Sequence, residues 1–189
     1  RKQAAAATRL ALERLRDLLA LPALPERIEA YDISHWQGEE PVAAMVVFLD
    51  GRPAPEAYRR FRIRDITKND DYAALQEAVG RRFLHGRKEQ EEGEANPGFL
   101  PFPDLLVIDG GKGQLNAVCT KLAALGGAEI PVVSLAEKEE EIYQRDGEDP
   151  LRLPRDDQAL HLLQHLRDEA HRFALAFHRA RRQKQSFAS

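Results

Sequence analysis

One short stretch, Pro103 through Leu115, limits what this chain can fold into more than any other. Leu105-Leu106-Val107-Ile108 is an unbroken apolar run, the pattern of a strand covered on both faces of a sheet. It ends abruptly at Asp109, passes through Gly110-Gly111-Lys112-Gly113, and gives way to helical spacing from Gln114 to Leu125. Strand, glycine-rich turn and helix in that order point to an open α/β sheet, where ligands and chemistry gather at the C-terminal ends of central strands. Asp109 would hold its carboxylate on a rigid element there. Gly110, Gly111 and Gly113 clear side chains from around it, so a bulky phosphorylated ligand can approach the backbone. Alternatively, Asp109 simply caps the helix, a position that Asp favours. A nucleotide P-loop is excluded, because that motif needs glycine where this chain has Leu106 and Ser or Thr where it has Gly113.

The 189 residues are 43% hydrophobic and 31% charged, which describes one globular domain with a real core and excludes a disordered chain. No apolar stretch approaches membrane-spanning length and no signal-peptide pattern is present, so no membrane partner is expected. The single cysteine, Cys119, excludes a disulfide framework and is compatible with the cytosol. A net charge of -3 gives no global argument for nucleic acid, but the charge is unevenly spread. Basic clusters lie at Arg59, Arg60, Arg62 and Arg64, at Arg81, Arg82, Arg87 and Lys88, and at Arg179, Arg181, Arg182 and Lys184. Acidic residues gather at Glu89–Glu94 and Glu137–Asp149. Such runs are ordinarily solvated surface; they permit a phosphate-backbone partner without requiring one. The chain begins at Arg1 in mid-pattern, which reads as a piece of something longer. Residues 1–25 are expected to be a helix and linker from a preceding region, 26–184 one domain, and 185–189 a tail.

Residues 2–20 carry Leu10, Leu12, Leu15, Leu18 and Leu19 at helical spacing and stop at Pro22 and Pro25. Arg27–Ser34 alternates as a strand does, with Asp32 near its end. Val42–Leu49 is a strongly apolar strand closed by the Asp50-Gly51 turn, and Tyr58–Ile63 reads as a half-exposed edge strand. Asp71–Phe83 reads as a helix capped by Asn69 or Asp70, and the polar stretch His85–Pro101 as a mobile loop. After the strand and helix of the opening stretch come a short strand at Pro131–Leu135 and an acidic segment, Glu137–Pro150, with room for a hairpin. Asp156 to about Lys184 is a long amphipathic helix striped by Leu160, Leu163, Leu166, Ala170, Ala174 and Phe177.

Three strands, helix, strand, helix, strand, helix is the order of the ribonuclease H-like fold. The expected architecture is α/β, with a mixed central sheet of about five strands flanked by helices. In that order the first and fourth strands lie side by side at the sheet centre, and Asp32 and Asp109 become neighbours. Paired carboxylates raise each other's proton affinity unless a cation sits between them, and oxygen ligands of this kind suit Mg²⁺ or Mn²⁺. His171 lies beside the apolar stripe of the last helix, with Gln164, Arg167 and Asp168 on the same flank, where this fold places its last ligand. A structural role for it remains the alternative. His85, His161, His165 and His178 have weaker cases. His35, close after Asp32, reads either as a substrate contact or as a turn residue.

Four segments carry a family resemblance: Tyr31-Asp32-Ile33-Ser34-His35, Asp70-Asp71-Tyr72, Pro103-Asp104-Leu105 through Asp109-Gly110-Gly111-Lys112-Gly113-Gln114-Leu115, and Leu153-Pro154-Arg155 through Arg167-Asp168-Glu169-Ala170-His171-Arg172-Phe173-Ala174. In order and content they resemble the C-terminal endonuclease domain of UvrC, the incision subunit of bacterial nucleotide excision repair. The resemblance covers roughly Arg27 to Lys184. It implies an Asp–Asp–His triad at Asp32, Asp109 and His171, which would serve as both catalytic residues and metal ligands. It also implies a divalent metal, damaged double-stranded DNA as substrate, cleavage on the 5′ side of the lesion, and a cytoplasmic location. The family pattern has Lys after Leu135-Ala136, whereas this chain has Glu137 followed by Lys138, which weakens the case for a phosphate contact there. The family further implies domains outside this stretch: a GIY-YIG nuclease for the 3′ cut, a region that binds UvrB, and a tandem helix-hairpin-helix domain. Their absence here predicts weak intrinsic affinity for DNA.

On this reading a cation held by the triad polarises the scissile phosphate and helps ionise an attacking water, and the residues leave one metal or two open. Lys112, Lys138, Arg155, Arg172 and Arg60 are the candidate DNA contacts, with plain surface solubility the alternative for each. The rival readings are a non-catalytic ribonuclease H-like DNA-binding scaffold, and a phosphate-binding enzyme built on Gly110–Gly113 that would leave Asp32 and His171 without a role.

Overall fold

The computed structural model describes residues 2–36, 38–64, 70–147 and 149–188, with the side chains of 178 and 181–188 outside that description. The first helix, α1 (Lys2–Leu18), buries Ala11, Leu12 and Leu15 on one face, as its leucine spacing predicts. β1 (Arg27–Ser34) and β2 (Val42–Leu49) pair antiparallel, with Arg27 opposite Leu49 and Ser34 opposite Val42. The Asp50-Gly51 turn that ends β2 has positive φ at both positions (53° and 81°), the conformation a tight hairpin requires. β3 (Arg52–Pro53) and β4 (Arg59–Arg62) both pair along β2, so the predicted edge strand forms but is shorter than Tyr58–Ile63.

α2 runs from Asp71 to Glu92, which corrects the expected loop from His85. Asp70 is the N-cap, its carboxylate accepting from the Ala73 N–H, while Asn69 lies outside the described residues. The helix continues because its inner face keeps finding partners: Phe83 is buried against the core and Gly86 lets Phe102 lie close. It stops only at Gly93, whose φ of 63° is the left-handed cap that glycine supplies.

β5 (Leu105–Asp109) lies parallel to β1, and after α3 (Lys112–Ala124) the chain returns as β6 (Val132–Ala136), parallel to β5. β7 (Glu141–Gln144) and β8 (Leu151–Arg152) extend that side antiparallel, filling the acidic segment with the hairpin it had room for. The sheet therefore has eight strands among the described residues, in the order β3-β2-β1-β5-β6-β7-β8 with β4 also on β2, rather than about five. The extra strands are two- and four-residue pieces too short to show a periodicity of their own. α4 (Gln158–Ala188) crosses β1 and β2, and Leu160, Leu163, Leu166, Ala170 and Ala174 of its predicted stripe are buried. α1 packs against α4, where the Arg14 guanidinium pairs with Asp157.

β1 carries a fully buried charge. Glu29 is gripped by Arg82 of α2 through two hydrogen bonds (2.8 and 2.9 Å) and by Arg27 (2.8 Å), and it accepts from the Tyr31 hydroxyl (3.1 Å). The two guanidinium groups outweigh burial and hold the Glu29 carboxyl below its ordinary range. Arg82 also lies over the rings of Phe99 and Phe102, so the helix that precedes β5 and the strand that carries Asp32 are tied through one ion cluster.

Candidate active-site cleft

The parallel register of β1 and β5 pairs Ala30 with Val107 and Tyr31 with Ile108. One residue further along stand Asp32, two residues before the end of β1, and Asp109, the last residue of β5, so the two carboxylates are neighbours near the C-terminal edge of the sheet. That is the juxtaposition expected from the order of elements. The helix-capping alternative for Asp109 falls away, because α3 starts at Lys112 with Gly111 at its N-cap position, and the Gly111 N–H donates to Gln114 Oε1 (3.1 Å). Gly110, at φ 136°, makes the turn, and a Cβ there would meet the Gln114 side chain at 2.7 Å.

α4 supplies the third group. His171 Nδ1 lies 3.5 Å from Asp32 Oδ2, with the imidazole 64% exposed and the aspartate nearly covered. A cleft of about 400 Å³ opens between them, lined by Asp32, Asp109, Glu137, Arg167, His171 and Trp36 among others. Burial is the main cause that drives the Asp32 carboxyl up to about 6, and the neighbouring Asp109 charge adds to it; His171 opposes the shift. Asp109 is also raised, again chiefly by burial, with Arg167 pulling the other way. Arg167 is fixed by Glu140 through bonds of 2.8 and 3.3 Å. Sequence reasoning placed Arg167 only on the flank of His171; its position one helical turn before that residue was the available signal.

Among the described residues, no three His, Cys, Asp or Glu side chains are drawn closely enough together to enclose a metal ion. What the structure brings together is a carboxylate pair on the cleft floor with an imidazole beside it. The chemistry of these donors fits a hard divalent cation, since a buried and a half-buried carboxyl with raised proton affinity are those whose ionisation a cation would offset.

The expected DNA contacts divide. Lys112, Lys138 and Arg155 are solvent-exposed. Arg60 and Arg172 are exposed as well but have partners within the chain: Arg60 stacks on Phe173 (3.7 Å from its centroid) and donates to the Phe173 carbonyl, and Arg172 is paired with Glu169 at 2.5 and 3.0 Å. In the second basic cluster Arg82 is buried on Glu29, and Arg87 donates to the Leu125 carbonyl at the end of α3. In the third, the side chains of Arg181, Arg182 and Lys184 lie outside the described residues. The remaining histidines mostly have structural partners: His85 stacks on Phe99, His165 meets Phe48 edge-on, and His161 bonds the Arg155 carbonyl (2.6 Å). The His178 side chain lies outside the description. His35 lines the cleft and bonds Asp71 Oδ1 (2.5 Å), bracing the end of β1 against the start of α2.

A sheet with a parallel centre, helices on both sides and an acidic cleft at its C-terminal edge defines the ribonuclease H-like class. A family profile described as the UvrC RNAse H endonuclease domain matches residues 16–175, and the chain belongs to that family. It is 47% identical over 182 residues to UvrABC system protein C of Moorella thermoacetica, covering 96% of this chain and 29% of that protein. It is 51% identical over 183 residues to the same protein of a Synechococcus species, covering 95% and 28%. The chain thus spans under a third of the length of these relatives. Among solved structures, human endonuclease V aligns with a TM-score of 0.40 and 13% identity, over 87% of this chain and 99% of that one. No described helix is long and apolar enough to cross a membrane.

Proposed function

We propose that this domain is the divalent-metal-dependent endodeoxyribonuclease of a UvrC-like protein and makes the 5′ incision in the damaged strand during nucleotide excision repair. The observation that carries the reading is the meeting of Asp32, Asp109 and His171, from two adjacent strand ends and one helix, on a single cleft. Asp32, Asp109 and His171 would hold Mg²⁺ or Mn²⁺, the carboxylate oxygens suiting either hard cation. When bound, the ion supplies Lewis acidity toward the scissile phosphate and lowers the pKa of water.

The chain's own residues prepare that chemistry. The sheet holds both carboxylates on rigid strand ends, so neither needs to be ordered when substrate arrives. Asp32 Oδ2 lies 3.5 Å from His171 Nδ1, so the imidazole on α4 faces the carboxylate across the cleft. Arg167, locked by Glu140, favours the ionised form of Asp109 and sets a fixed positive charge where a phosphate approaches. Lys112, Lys138 and Arg155, together with the exposed Arg60 and Arg172, are the proposed contacts to the DNA backbone, which position a substrate without reading its sequence. Damaged duplex DNA is the proposed substrate, UvrB the partner of the whole UvrC-like protein, and the cytoplasm the place of action.

The scaffold reading is favoured by one observation, that the three donors do not enclose an ion as they stand. Calorimetric titration of Mn²⁺ into the wild-type chain and into Asp109→Ala separates the two. Binding that is lost in the variant supports the nuclease, and equal binding by both moves the conclusion to the scaffold.

A further inference from the structure

The cleft has a wall that phosphodiester hydrolysis by itself does not require. Trp36, in the loop after β1, and Leu175, on α4 one turn beyond His171, both line it beside Ala174. Leu175 keeps 38% of its surface exposed, one of the few large apolar side chains left so open among the described residues. An apolar face held open at the mouth of an acidic site loses hydration free energy until a ligand covers it. Both parts of the wall are held in place. The Trp36 carbonyl accepts from the Glu39 N–H (3.0 Å), closing a turn that Gly38 completes at φ 80°. Leu175 stands on the same helical stripe as Arg167, His171 and Ala174, a spacing that turns them all to one side.

The floor of the cleft is polar, with Asp32 and Asp109 on the sheet and Arg167 two turns before Leu175 on α4. A cleft of about 400 Å³ falls in the range of sites that take one small ligand, which is room for a nucleotide but not for a run of stacked base pairs. An apolar, partly aromatic wall facing a phosphate-directed floor matches one chemical object well: a nucleobase with flat apolar faces, joined through its sugar to a phosphate. We propose that Trp36 and Leu175 form a slot for one unstacked nucleobase of the substrate strand. The domain then takes DNA that is locally unpaired at the scissile nucleotide, in preference to continuous duplex. The stack on Trp36 offsets the loss of base stacking in the substrate, as in other proteins that draw a base out of the helix. The proposal rests on the nuclease reading and specifies its substrate.

Trp36 is the only tryptophan of the chain, so its emission reports on the slot alone. The chain is titrated with a single-stranded oligonucleotide and with its fully paired duplex, in Ca²⁺ so that no strand is cut. Tryptophan emission and the anisotropy of a fluorescein label on the DNA are followed together. The single strand is expected to quench Trp36 saturably and to bind about tenfold more tightly than the duplex, the size of one lost base–aromatic stack. Trp36→Ala, Leu175→Asp and the milder Leu175→Ala are expected to weaken single-strand binding while leaving duplex binding unchanged. DNA that binds by anisotropy with unmoved Trp36 emission, or a duplex that quenches as strongly as the single strand, overturns the slot and leaves the nuclease reading standing. No anisotropy change with any DNA overturns the slot, and the nuclease reading is then decided separately by Mn²⁺ binding to wild type and Asp109→Ala.

Discussion

Replacing Asp32 with Asn should make the metal-free chain more stable at neutral and alkaline pH. In the folded chain the Asp32 carboxyl is pushed from 3.8 to about 6, mainly by burial and then by Asp109. The folded state therefore holds a proton that the unfolded state has released across the window between these values. A state that binds more protons loses stability as pH rises, so the folded chain is progressively destabilised from about pH 4 to about pH 6 and carries the full cost above that. Each tenfold change in proton affinity is worth about 1.36 kcal/mol, and the rise from 3.8 to about 6 comes to about 3 kcal/mol. Asn has nearly the shape of the protonated acid and no charge to desolvate. Urea unfolding in EDTA should find Asp32→Asn more stable than wild type by about 3 kcal/mol at pH 8 and by well under 1 kcal/mol at pH 4. Mn²⁺ added at about 1,000 times its Kd should then reverse the order, because it stabilises the wild type by about 4.1 kcal/mol and should not bind the variant. A variant less stable than wild type at pH 8 without metal, or a difference that does not change with pH, would refute the argument that these carboxyls repel and are desolvated.

Two further perturbations test the frame around the site. Glu29→Gln leaves Arg27 and Arg82 buried without their counter-charge and should cost about 3–5 kcal/mol in urea unfolding, whereas replacing Arg27, Glu29 and Arg82 together with apolar residues of similar volume should cost much less. Asp157→Ala removes the acceptor for the Ala159 and Leu160 N–H groups at the start of α4 and should cost about 1–2 kcal/mol. Hydrogen bonding from Arg14 and from those N–H groups holds the Asp157 carboxyl below its ordinary value. Its contribution is therefore present above the ordinary carboxylate range and fades as pH falls below it, so the gap between Asp157→Ala and wild type should narrow in acid.

The two histidines beside Asp32 show how the site depends on elements far apart in the chain. His171 reaches Asp32 from α4, and His35 turns away from it to Asp71 at the start of α2. The local sequence puts one imidazole on a helix and the other in a turn, but does not say which of them faces Asp32. What separates them is which helix lies across the end of β1.

The chain's order of elements, the buried run before Asp109 and the stripe of α4 were legible in the sequence, because the period of apolar residues reports directly which face of each strand or helix is covered. Asp109 at a strand end could be read for the same reason, and its pairing with Asp32 followed once the order of strands was recognised. Other features were decided only by tertiary packing. Glu29 and Arg82 look like ordinary surface charges in the sequence and form a buried cluster in the fold. Arg60 reads as a free surface charge, and in the fold it stays exposed but lies over the ring of Phe173. α2 outlasts its polar sequence because Phe102 and Phe99, from the segment before β5, pack along its second half. Trp36 and Leu175 become one wall only when α4 closes over the end of β1. Local periodicity records whether a residue is covered. It carries no information on which distant residue does the covering, and that partner decides whether a charge is a surface ornament, a core bond or part of a site.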